Sequence, residues 1–274
     1  MRLFRNAFLV AAVGYLAVCA AMWAFQERLI FLPRPATATT PTDLGLEYEE
    51  LELVTTDGLR LPAWLVEPGG AETAVLVCHG NAGSIDSGLH HARAFARWGH
   101  ATLLFAYRGY GANPGRPTEE GTYLDAEAAY EALLDAGFEP ARIAVYGQSL
   151  GGAVAIELAV RREVGALVTE STFTSMADMG ARLYPWLPAR RLTRVHYDNA
   201  AKIGGLRTPW LSIHSPEDDL VPFSQAEQLF ALAPEPKERL ATRGGHNDGG
   251  FLGTDTEHVV ADFLSRHLGD TSGE

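Results

Sequence analysis

Val145-Tyr146-Gly147-Gln148-Ser149-Leu150-Gly151-Gly152 is the stretch that decides the fold, because an apolar run stops there at a serine and a helical pattern begins. The residues before it, 143–146, predict a buried strand, and those after it, 153–160, predict a helix with few breakers. A strand, a sharp turn with the spacing G-x-S-x-G and a helix are typical of a nucleophile elbow. Gly147 and Gly151 lack a Cβ where strand and helix crowd together, so the Ser149 hydroxyl stands clear of the sheet. The alternative is a serine that only caps the helix.

The composition limits the classes of protein that the chain can belong to. Its 274 residues are 47% hydrophobic, which is ample for a sizeable core. The formal net charge of -12 argues against nucleic acid as a partner, since phosphate binding needs a basic surface. Cys19 and Cys78 are not expected to pair. No H-E-x-x-H or Cys-x-x-Cys spacing occurs, so we predict no metal and no other cofactor, and we place His90 and His91 on the surface of a helix.

The N-terminus carries a candidate membrane anchor, to which we assign residues 1–31 with their flank. Residues 7–25 form 19 consecutive positions without a charge. At about 1.5 Å per residue this segment is close to the roughly 30 Å thickness of a bilayer's hydrocarbon core. The alternatives are a cleaved signal peptide and a lipoprotein signal that ends at Cys19.

Arginines on both sides of this segment give a slight indication of its orientation. Arg2 and Arg5 precede it, whereas Arg28 and Arg34 follow it. With the amino terminus included, the bias favours a cytoplasmic N-terminus. We therefore expect a single-pass membrane protein whose catalytic domain lies outside the cytoplasm.

Residues 32–274 are predicted to form one catalytic domain. After a proline-rich linker at 33–41, two alternating segments joined through Asp57-Gly58 predict a β-hairpin. Strands and helices then alternate. The predicted strands span 46–54, 59–66, 73–78, 101–107, 143–146, 166–169, 210–213 and 239–242, and the predicted helices span 84–98, 118–134, 153–160, 224–232 and 254–268. A hairpin followed by repeated strand-helix units predicts an α/β fold with a mostly parallel central sheet and helices on both faces.

Two later loops carry the side chains that a serine nucleophile needs. A base must take the serine proton and a third group must orient that base, and both are expected beyond the carboxyl ends of later strands. The seventh predicted strand is followed by Glu217, Asp218 and Asp219, and the eighth by His246 in a glycine-rich loop. We predict Ser149 as nucleophile, His246 as general base and then acid, and Asp218 as the acid partner, with its two neighbours as alternatives. The alternative for His246 is a loop histidine bonded to backbone.

An acyl transfer also needs N–H donors for the oxyanion that develops on the substrate. The N–H of Leu150, in the first turn of the predicted helix, is one such donor. The second is expected from the glycine-rich loop after the third predicted strand, His79-Gly80-Asn81-Ala82-Gly83, and we assign it to the N–H of Asn81. His79 is predicted to brace this loop rather than to act as a base.

Several stretches together resemble a known family. They are Gln26-Glu27-Arg28-Leu29-Ile30-Phe31-Leu32-Pro33, the loop 79–83, Tyr107-Arg108-Gly109-Tyr110-Gly111, the elbow at 147–152, Glu170-Ser171-Thr172-Phe173-Thr174-Ser175, and the stretches 214–222 and 245–248. Nearly the whole chain is covered, and it resembles membrane-anchored serine α/β-hydrolases of the bud-emergence type, a group similar to abhydrolase-domain depalmitoylases. The resemblance implies an α/β-hydrolase fold and favours Asp218 as the acid. The chain differs from the family pattern at His214-Ser215, where the family usually has His-Gly.

Hydrolases of this fold insert a cap after the sixth strand, and the segment here is short, at about 171–205. Its apolar residues are expected to line an acyl groove; they are Met176, Met179, Leu183, Tyr184, Trp186 and Leu187. Its arginines form a basic cluster, and we hypothesise that they face anionic lipid headgroups. They are Arg182, Arg190, Arg191 and Arg194. The alternative is ordinary core together with a solvated face.

The resemblance implies an ester or thioester hydrolase acting on a small-molecule or lipid ester, with acyl lipids or lipidated partners among the candidates. A serine aminopeptidase is one alternative, and Glu170 is the only obvious carboxylate for holding its substrate amine. A non-catalytic binding relative is the other, and the complete Ser-His-Asp set argues against it. Epoxide hydrolases and dehalogenases are excluded because they need an aspartate at the position of Ser149. Nothing in the sequence indicates an oligomeric state.

Overall fold

An eight-stranded sheet forms the centre of the protein in the computed structural model, which describes residues 1–35, 37–248, 250–251 and 254–269. The strands are β1 (Tyr48–Val54), β2 (Arg60–Val66), β3 (Ala74–Cys78), β4 (Ala101–Phe105), β5 (Ile143–Gln148), β6 (Ala166–Glu170), β7 (Trp210–His214) and β8 (Lys237–Ala241). The helices are α1 (Arg2–Ile30), α2 (Leu89–Arg97), α3 (Glu119–Asp135), α4 (Leu150–Arg161), α5 (Met176–Leu183), α6 (Ala189–Leu192), α7 (Asn199–Lys202), α8 (Phe223–Leu232) and α9 (Thr254–Leu268). Single 3-10 turns occur at Pro41–Leu44, Ile85–Gly88, Pro140–Arg142 and Ile203–Gly205.

The strand order in the sheet is β1-β2-β4-β3-β5-β6-β7-β8. β2 is antiparallel to both of its neighbours, and every pair from β4 to β8 is parallel. All residues of β3, β4, β6 and β7 are buried, as expected for parallel strands covered on both faces by helices. The predicted α/β architecture with a mostly parallel sheet is confirmed.

The register of the parallel strands brings three loops to one edge of the sheet. Gln148 at the end of β5 pairs with Glu170 at the end of β6, and His214 at the end of β7 pairs with Ala241 at the end of β8. The segments that follow β5, β7 and β8 therefore leave the sheet at the same, carboxyl-terminal edge. Ligands of open α/β sheets bind at this edge.

α1 is long and apolar enough to cross a membrane, and it includes the uncharged segment 7–25, so it is a candidate membrane span. Its C-terminal half packs against the cap, which holds α5, α6 and α7. Oε1 of Gln26 accepts hydrogen bonds from the N–H groups of Arg194, at 2.6 Å, and Val195, at 3.2 Å. Nε2 of Gln26 donates to the carbonyl of Leu192 at 3.2 Å. α1 and the cap are thus held together by buried polar contacts.

One surface prediction is wrong. His90 is exposed as expected, but the neighbouring His91 is 3% exposed and faces the core. Its ring packs against Tyr146 and Phe251, with 4.5 Å between the ring centroids in each pair. Burial lowers the pKa of His91 well below its ordinary value, so the ring is neutral in the core. His91 lies four residues before the buried Phe95, so the two side chains share one face of α2.

Candidate active site

Ser149 joins β5 to α4 in a sharp turn. Its backbone has a φ of 53° and a ψ of -113°, outside the conformations that a residue with a Cβ normally adopts. A Cβ on Gly147 would collide with the carbonyl of Gly151, and a Cβ on Gly151 would collide with the carbonyl of Cys78 in β3. Both glycines are therefore needed for the close approach of α4 to the two strands, which is the steric reason that the sequence suggested.

Ser149, His246 and Asp218 form one chain of hydrogen bonds. Nε2 of His246 lies 3.0 Å from Oγ of Ser149, and Nδ1 of His246 lies 2.8 Å from Oδ2 of Asp218. Because an ionised carboxylate only accepts hydrogen bonds, the imidazole proton belongs on Nδ1. Nε2 is then free to accept the hydroxyl proton of Ser149. The structure brings the three predicted residues together, and the arrangement is able to activate a serine nucleophile.

Asp218 is held by backbone N–H groups and by two histidines. Its Oδ1 accepts hydrogen bonds from Leu220, at 2.9 Å, and Val221, at 2.8 Å. Nε2 of His214 lies 3.4 Å from Oδ2 of Asp218, a contact that the sequence analysis missed. Burial by itself raises the pKa of Asp218, but hydrogen bonds from His214, His246 and Val221 outweigh it and hold that pKa well below its ordinary value. Asp218 is therefore ionised beside the imidazole.

The other two carboxylates of the same loop contact backbone rather than the imidazole. Oδ1 of Asp219 accepts the N–H of His246 at 3.1 Å. Oε2 of Glu217 accepts the N–H of Gly244 at 3.0 Å. Both hold the loop that carries the histidine, and Asp218 is the one whose carboxylate meets the ring.

The loop 79–83 lies beside Ser149. A Cβ built on Gly80 would lie 3.7 Å from the Cβ of Ser149, so backbone and nucleophile are neighbours. Across the described ranges, the N–H groups of Asn81 and Leu150 have no hydrogen-bond acceptor. Two free donors thus lie in the segments where the sequence predicted an oxyanion site.

His79 makes contacts that brace this loop. Its Nδ1 donates to the carbonyl of Gly80 at 2.7 Å, and its Nε2 accepts the N–H of Tyr107 at 3.4 Å. Burial lowers the pKa of His79 to about 4, against a weaker opposing effect of the Gly80 hydrogen bond. The ring is therefore neutral at neutral pH, with both nitrogens occupied.

The side chain of Asn81 ties the same loop to the end of α1, which the sequence analysis missed. Its Oδ1 accepts hydrogen bonds from the N–H groups of Leu32 and Ala82, both at 3.0 Å, and from the hydroxyl of Tyr110 at 2.7 Å. Its Nδ2 donates to the carbonyl of Ile30, the last residue of α1. Ala82 has a φ of 59°, so the Asn81 side chain also stabilises a left-handed turn.

Glu170 is buried behind Ser149 and His246. Its carboxylate accepts hydrogen bonds from the hydroxyl of Tyr146, from Nε2 of Gln148 at 3.1 Å and from the N–H of Phe251 at 3.4 Å. Burial raises the pKa of Glu170, and the hydrogen bonds from Tyr146 and Gln148 oppose this. Both oxygens are occupied, and the contact with Phe251 supports the segment that follows His246.

A mainly apolar pocket of about 120 Å³ lies between α1 and the cap. Met22, Leu29 and Ile30 are among the residues that α1 contributes to it. Five of the six apolar cap residues predicted to line a groove do line this pocket; they are Met176, Met179, Leu183, Tyr184 and Leu187. The prediction was wrong for Trp186, which is 57% exposed.

Within the part of the chain that the structure describes, no group of three or more His, Cys, Asp or Glu side chains is arranged to hold a metal ion. Cys19 and Cys78 are free thiols. The absence of a cofactor stays a prediction from the sequence.

The sheet order, the elbow and the three loops at one edge define an α/β-hydrolase fold. A family model described as alpha/beta hydrolase fold matches residues 73–193. Among solved structures, the Pyrococcus furiosus esterase Pf2001 is similar over 88% of this chain and 98% of that chain, with a TM-score of 0.71 and 23% sequence identity. At this identity the similarity shows the fold alone.

Relatives that match most of the chain define the family more closely. An uncharacterized protein of Mycobacterium tuberculosis is 42% identical over 269 residues, which cover 96% of this chain and 95% of the relative. Protein bem46 of Schizosaccharomyces pombe is 32% identical over 265 residues, which cover 90% of this chain and 88% of bem46. The chain therefore belongs to the α/β-hydrolase family, within the group that includes bem46, and the predicted family resemblance is confirmed.

Proposed function

We propose that this protein is a serine hydrolase that cleaves carboxylic esters or thioesters through an acyl-enzyme. One observation carries the proposal: Oγ of Ser149 lies 3.0 Å from Nε2 of His246, and Nδ1 of His246 lies 2.8 Å from Asp218. These are the contacts that a serine needs to become a nucleophile at neutral pH. Membership of the α/β-hydrolase family supports the same class of chemistry.

In the acylation half-reaction, Oγ of Ser149 attacks the substrate carbonyl carbon while Nε2 of His246 takes the hydroxyl proton. The carbonyl oxygen becomes an oxyanion, to which the N–H groups of Asn81 and Leu150 donate hydrogen bonds. The tetrahedral intermediate collapses as His246 gives its proton to the leaving alcohol or thiol. Asp218 stays ionised and stabilises the imidazolium.

Deacylation repeats these steps with water in place of the serine. His246 takes a proton from the water as its oxygen attacks the acyl carbon, and the same two N–H groups accommodate the second oxyanion. When this intermediate collapses, His246 returns the proton to Oγ of Ser149. The products are a free carboxylic acid and the regenerated enzyme.

We propose acyl lipids or lipidated partners as the substrates. The apolar pocket between α1 and the cap supports this, because it is lined by side chains suited to an acyl chain. One lining residue, Ile30, is bonded through its carbonyl to the side chain of Asn81, which links one wall of the pocket to the oxyanion loop. p-Nitrophenyl esters of increasing acyl length test this: kcat/KM should rise with length, and a fall would contradict an acyl pocket.

We propose that α1 spans a membrane once, that residues 1–31 form the anchor with its flank, and that residues 32–274 form the catalytic domain outside the cytoplasm. The apolar length of α1 supports the span, and Arg2 and Arg5 support the orientation. A reporter active only outside the cytoplasm, fused to the C-terminus, should be active. Activity of a cytoplasm-specific reporter at the same position would overturn the orientation.

A fluorophosphonate probe tests the proposed chemistry directly, because it phosphonylates only activated serines. The full chain should be labelled, and Ser149→Ala should not. Ser224→Ala is the matched control: Ser224 is exposed on α8, outside the described contacts of Ser149, and its loss should leave labelling unchanged. Equal labelling of both variants would overturn Ser149 as the nucleophile.

The peptidase alternative loses its structural support. It depends on Glu170 holding a substrate amine, but Glu170 is 1% exposed and its oxygens accept hydrogen bonds from Tyr146, Gln148 and Phe251. Both oxygens of this carboxylate are therefore already occupied within the fold. Paired assays with p-nitrophenyl esters and aminoacyl anilides should therefore show turnover of the esters, and faster turnover of the anilides would reverse the assignment.

A further inference from the structure

The cap carries a short apolar segment that the proposed chemistry does not use. We call residues 183–188, Leu183-Tyr184-Pro185-Trp186-Leu187-Pro188, the cap loop. It contains no charged residue, and Leu183 and Trp186 are 50% and 57% exposed. Large apolar side chains clustered on a surface indicate an interaction site. The cap loop therefore needs a partner other than water.

The position of the cap loop along α1 indicates which partner this is. The hydroxyl of Tyr15 donates a hydrogen bond to the carbonyl of Trp186, with 3.1 Å between the oxygens. Tyr15 lies near the middle of the uncharged segment 7–25, about 12 Å from one end and about 15 Å from the other at 1.5 Å per residue. If α1 crosses a membrane with this segment, the tip of the cap loop lies deep in the bilayer beside it.

The backbone of the cap loop is suited to such an environment, where unpaired N–H and carbonyl groups are costly. Pro185 and Pro188 have no N–H to satisfy. The N–H of Leu187 donates to the carbonyl of Tyr184 at 2.9 Å, and the N–H of Tyr184 donates to Gly180 at 2.9 Å. The carbonyl of Trp186 is the group that Tyr15 satisfies. These contacts pair the N–H groups of Tyr184 and Leu187 and the carbonyls of Tyr184 and Trp186 without water.

Basic side chains stand at both ends of the cap loop. Arg182 precedes it, and Arg190 and Arg191 follow one residue after it. All three are exposed, and Arg190 also pairs with Asp178 at 2.7 Å. Long basic side chains next to an inserted apolar segment extend towards phosphate headgroups while their stems stay among apolar atoms. The charge pattern around the loop therefore matches a lipid surface.

We propose that the cap loop inserts among the phospholipid acyl chains of the leaflet next to the catalytic domain, alongside α1. The bilayer then covers Leu183 and Trp186, and the pocket between α1 and the cap opens towards lipid rather than water. This inference rests on the proposed membrane span of α1 and is independent of the chemistry at Ser149. With the cap loop inserted, a lipid substrate reaches the pocket directly from the bilayer.

Spin labels at single cysteines test this in the full chain. Trp186→Cys is prepared with Cys19→Ala, because burial raises the pKa of the remaining Cys78 to about 12 and keeps that thiol unreactive. After nitroxide labelling and reconstitution into phosphatidylcholine vesicles, collision rates with oxygen and with a water-soluble nickel complex are measured. Oxygen dissolves in hydrocarbon, whereas the charged or polar complex is excluded from it. We expect oxygen to dominate at position 186.

Two control positions make the outcome decisive. Val13→Cys, 66% exposed on α1, reports the membrane span, and Leu232→Cys, 47% exposed on α8, reports an apolar residue expected in water. The oxygen-to-nickel ratio at 186 should match that at 13 and exceed that at 232 several-fold. A ratio at 186 equal to that at 232 overturns the insertion, whether or not position 13 lies in lipid.

Leu183→Cys provides a second labelled position in the cap loop, at which Trp186 is retained. Leu183 is half exposed at the start of the same loop, and its label should also report a hydrocarbon environment. Water-like ratios at both 183 and 186 contradict the proposal. Ester hydrolysis by the wild type and by the same variants is measured separately. An inactive wild type would contradict the proposed hydrolase function, but the spin-label result would still test the insertion.

Discussion

The two sides of the candidate active site are held in place by different parts of the molecule. On the relay side, Ser149, Asp218 and His246 follow β5, β7 and β8, and the sheet's own hydrogen bonds fix where these segments leave it. On the oxyanion side, Asn81 follows β3, but its side chain is bonded to Ile30 and Leu32 at the end of α1. The relay side depends on the sheet and the loops at its edge, whereas the oxyanion side also depends on the end of α1.

This difference predicts two kinds of response to substitution. A change in the relay removes a proton-transfer step, so the loss of activity should be large. A change in the supports of the oxyanion loop leaves every reacting group present but less well positioned. Its effect on kcat should be smaller, and some supports should contribute mainly to the free energy of unfolding.

The largest effect is expected from His246→Gln. Glutamine does not take up the serine proton, so kcat for a p-nitrophenyl ester should fall by about 10⁵-fold or more. If the relay acts as a unit, the double variant with Ser149→Ala should lose no more activity than either single variant. A loss below about tenfold for His246→Gln would show that the relay is not the catalytic side.

Asp218→Asn should have the next largest effect and lower kcat by about 10⁴-fold. Asparagine disfavours the tautomer of His246 that carries its proton on Nδ1. Asp219→Asn is the matched control, since Asp219 accepts the backbone N–H of His246 and not the ring. An amide oxygen retains that contact, so its kcat should stay within about tenfold of wild type. Equal losses in steady-state assays of the two variants would contradict the distinction between the carboxylates.

The relay side was largely predictable from the sequence, because parallel strands bring the loops at their carboxyl ends to one edge. Ser149, His246 and the carboxylate run were each recognisable by residue type and by position after a predicted strand. Local spacing did not distinguish Asp218 from its neighbours. That distinction depends on side-chain directions, and the structure shows Asp218 on the imidazole and Asp219 on the backbone.

The oxyanion side was predictable only in its backbone. The glycine-rich loop 79–83 was identified, but the bonds from Asn81 to Leu32 and Ile30 join residues 49 and 51 positions apart. No periodic pattern encodes such a contact, because it depends on how the end of α1 packs on the domain. The error at His91 has a different cause: His91 lies four residues before Phe95 on the apolar face of α2, and this position rather than its polar residue type decides its burial.

Arg108→Met tests whether a buried ion pair near the oxyanion loop stabilises the folded protein. Nε of Arg108 donates to Asp125 at 2.9 Å, and the two side chains are 8% and 0% exposed. Two residues further on, Tyr110 donates to Asn81. Losing the guanidinium leaves Asp125 buried without its cation, so the free energy of unfolding should fall by about 3–5 kcal/mol.

Urea unfolding of the full chain in detergent micelles measures this change, and Arg266→Met provides the matched control. Arg266 pairs with Glu238 on the surface, where the side chains are 43% and 41% exposed. An exposed pair of this kind contributes no more than about 1 kcal/mol. If the two variants were equally stable, the Arg108 pair would not be a structural support of the loop.

Leu32→Pro tests the link between the segment that follows α1 and the oxyanion loop. Proline removes the N–H that donates to Asn81, while the preceding Phe31 already has the extended backbone that a residue before proline prefers. We expect kcat to fall about tenfold with KM unchanged, less than the roughly 10²-fold or greater loss caused by removing an oxyanion donor entirely. Leu32→Ala keeps the N–H and should retain wild-type kcat. Equal kcat in the two variants would argue that the contact between Leu32 and Asn81 does not position the loop.

The smallest effect is expected at Asp57, which also contacts Arg108. Hydrogen bonds from the Arg108 guanidinium and from Thr55 lower the pKa of Asp57 from 3.8 to about 2. Because this pKa is depressed in the folded state, ionised Asp57 stabilises the fold above about pH 4, and the contribution disappears as the pH falls through about 2. Asp57 is 43% exposed, so solvent screening limits it to less than about 1 kcal/mol. At pH 7, Asp57→Asn should have a free energy of unfolding lower than that of wild type by less than about 1 kcal/mol. Urea unfolding should show this difference shrinking between pH 4 and pH 2. A difference that grew on acidification would mean that ionised Asp57 does not support the oxyanion side.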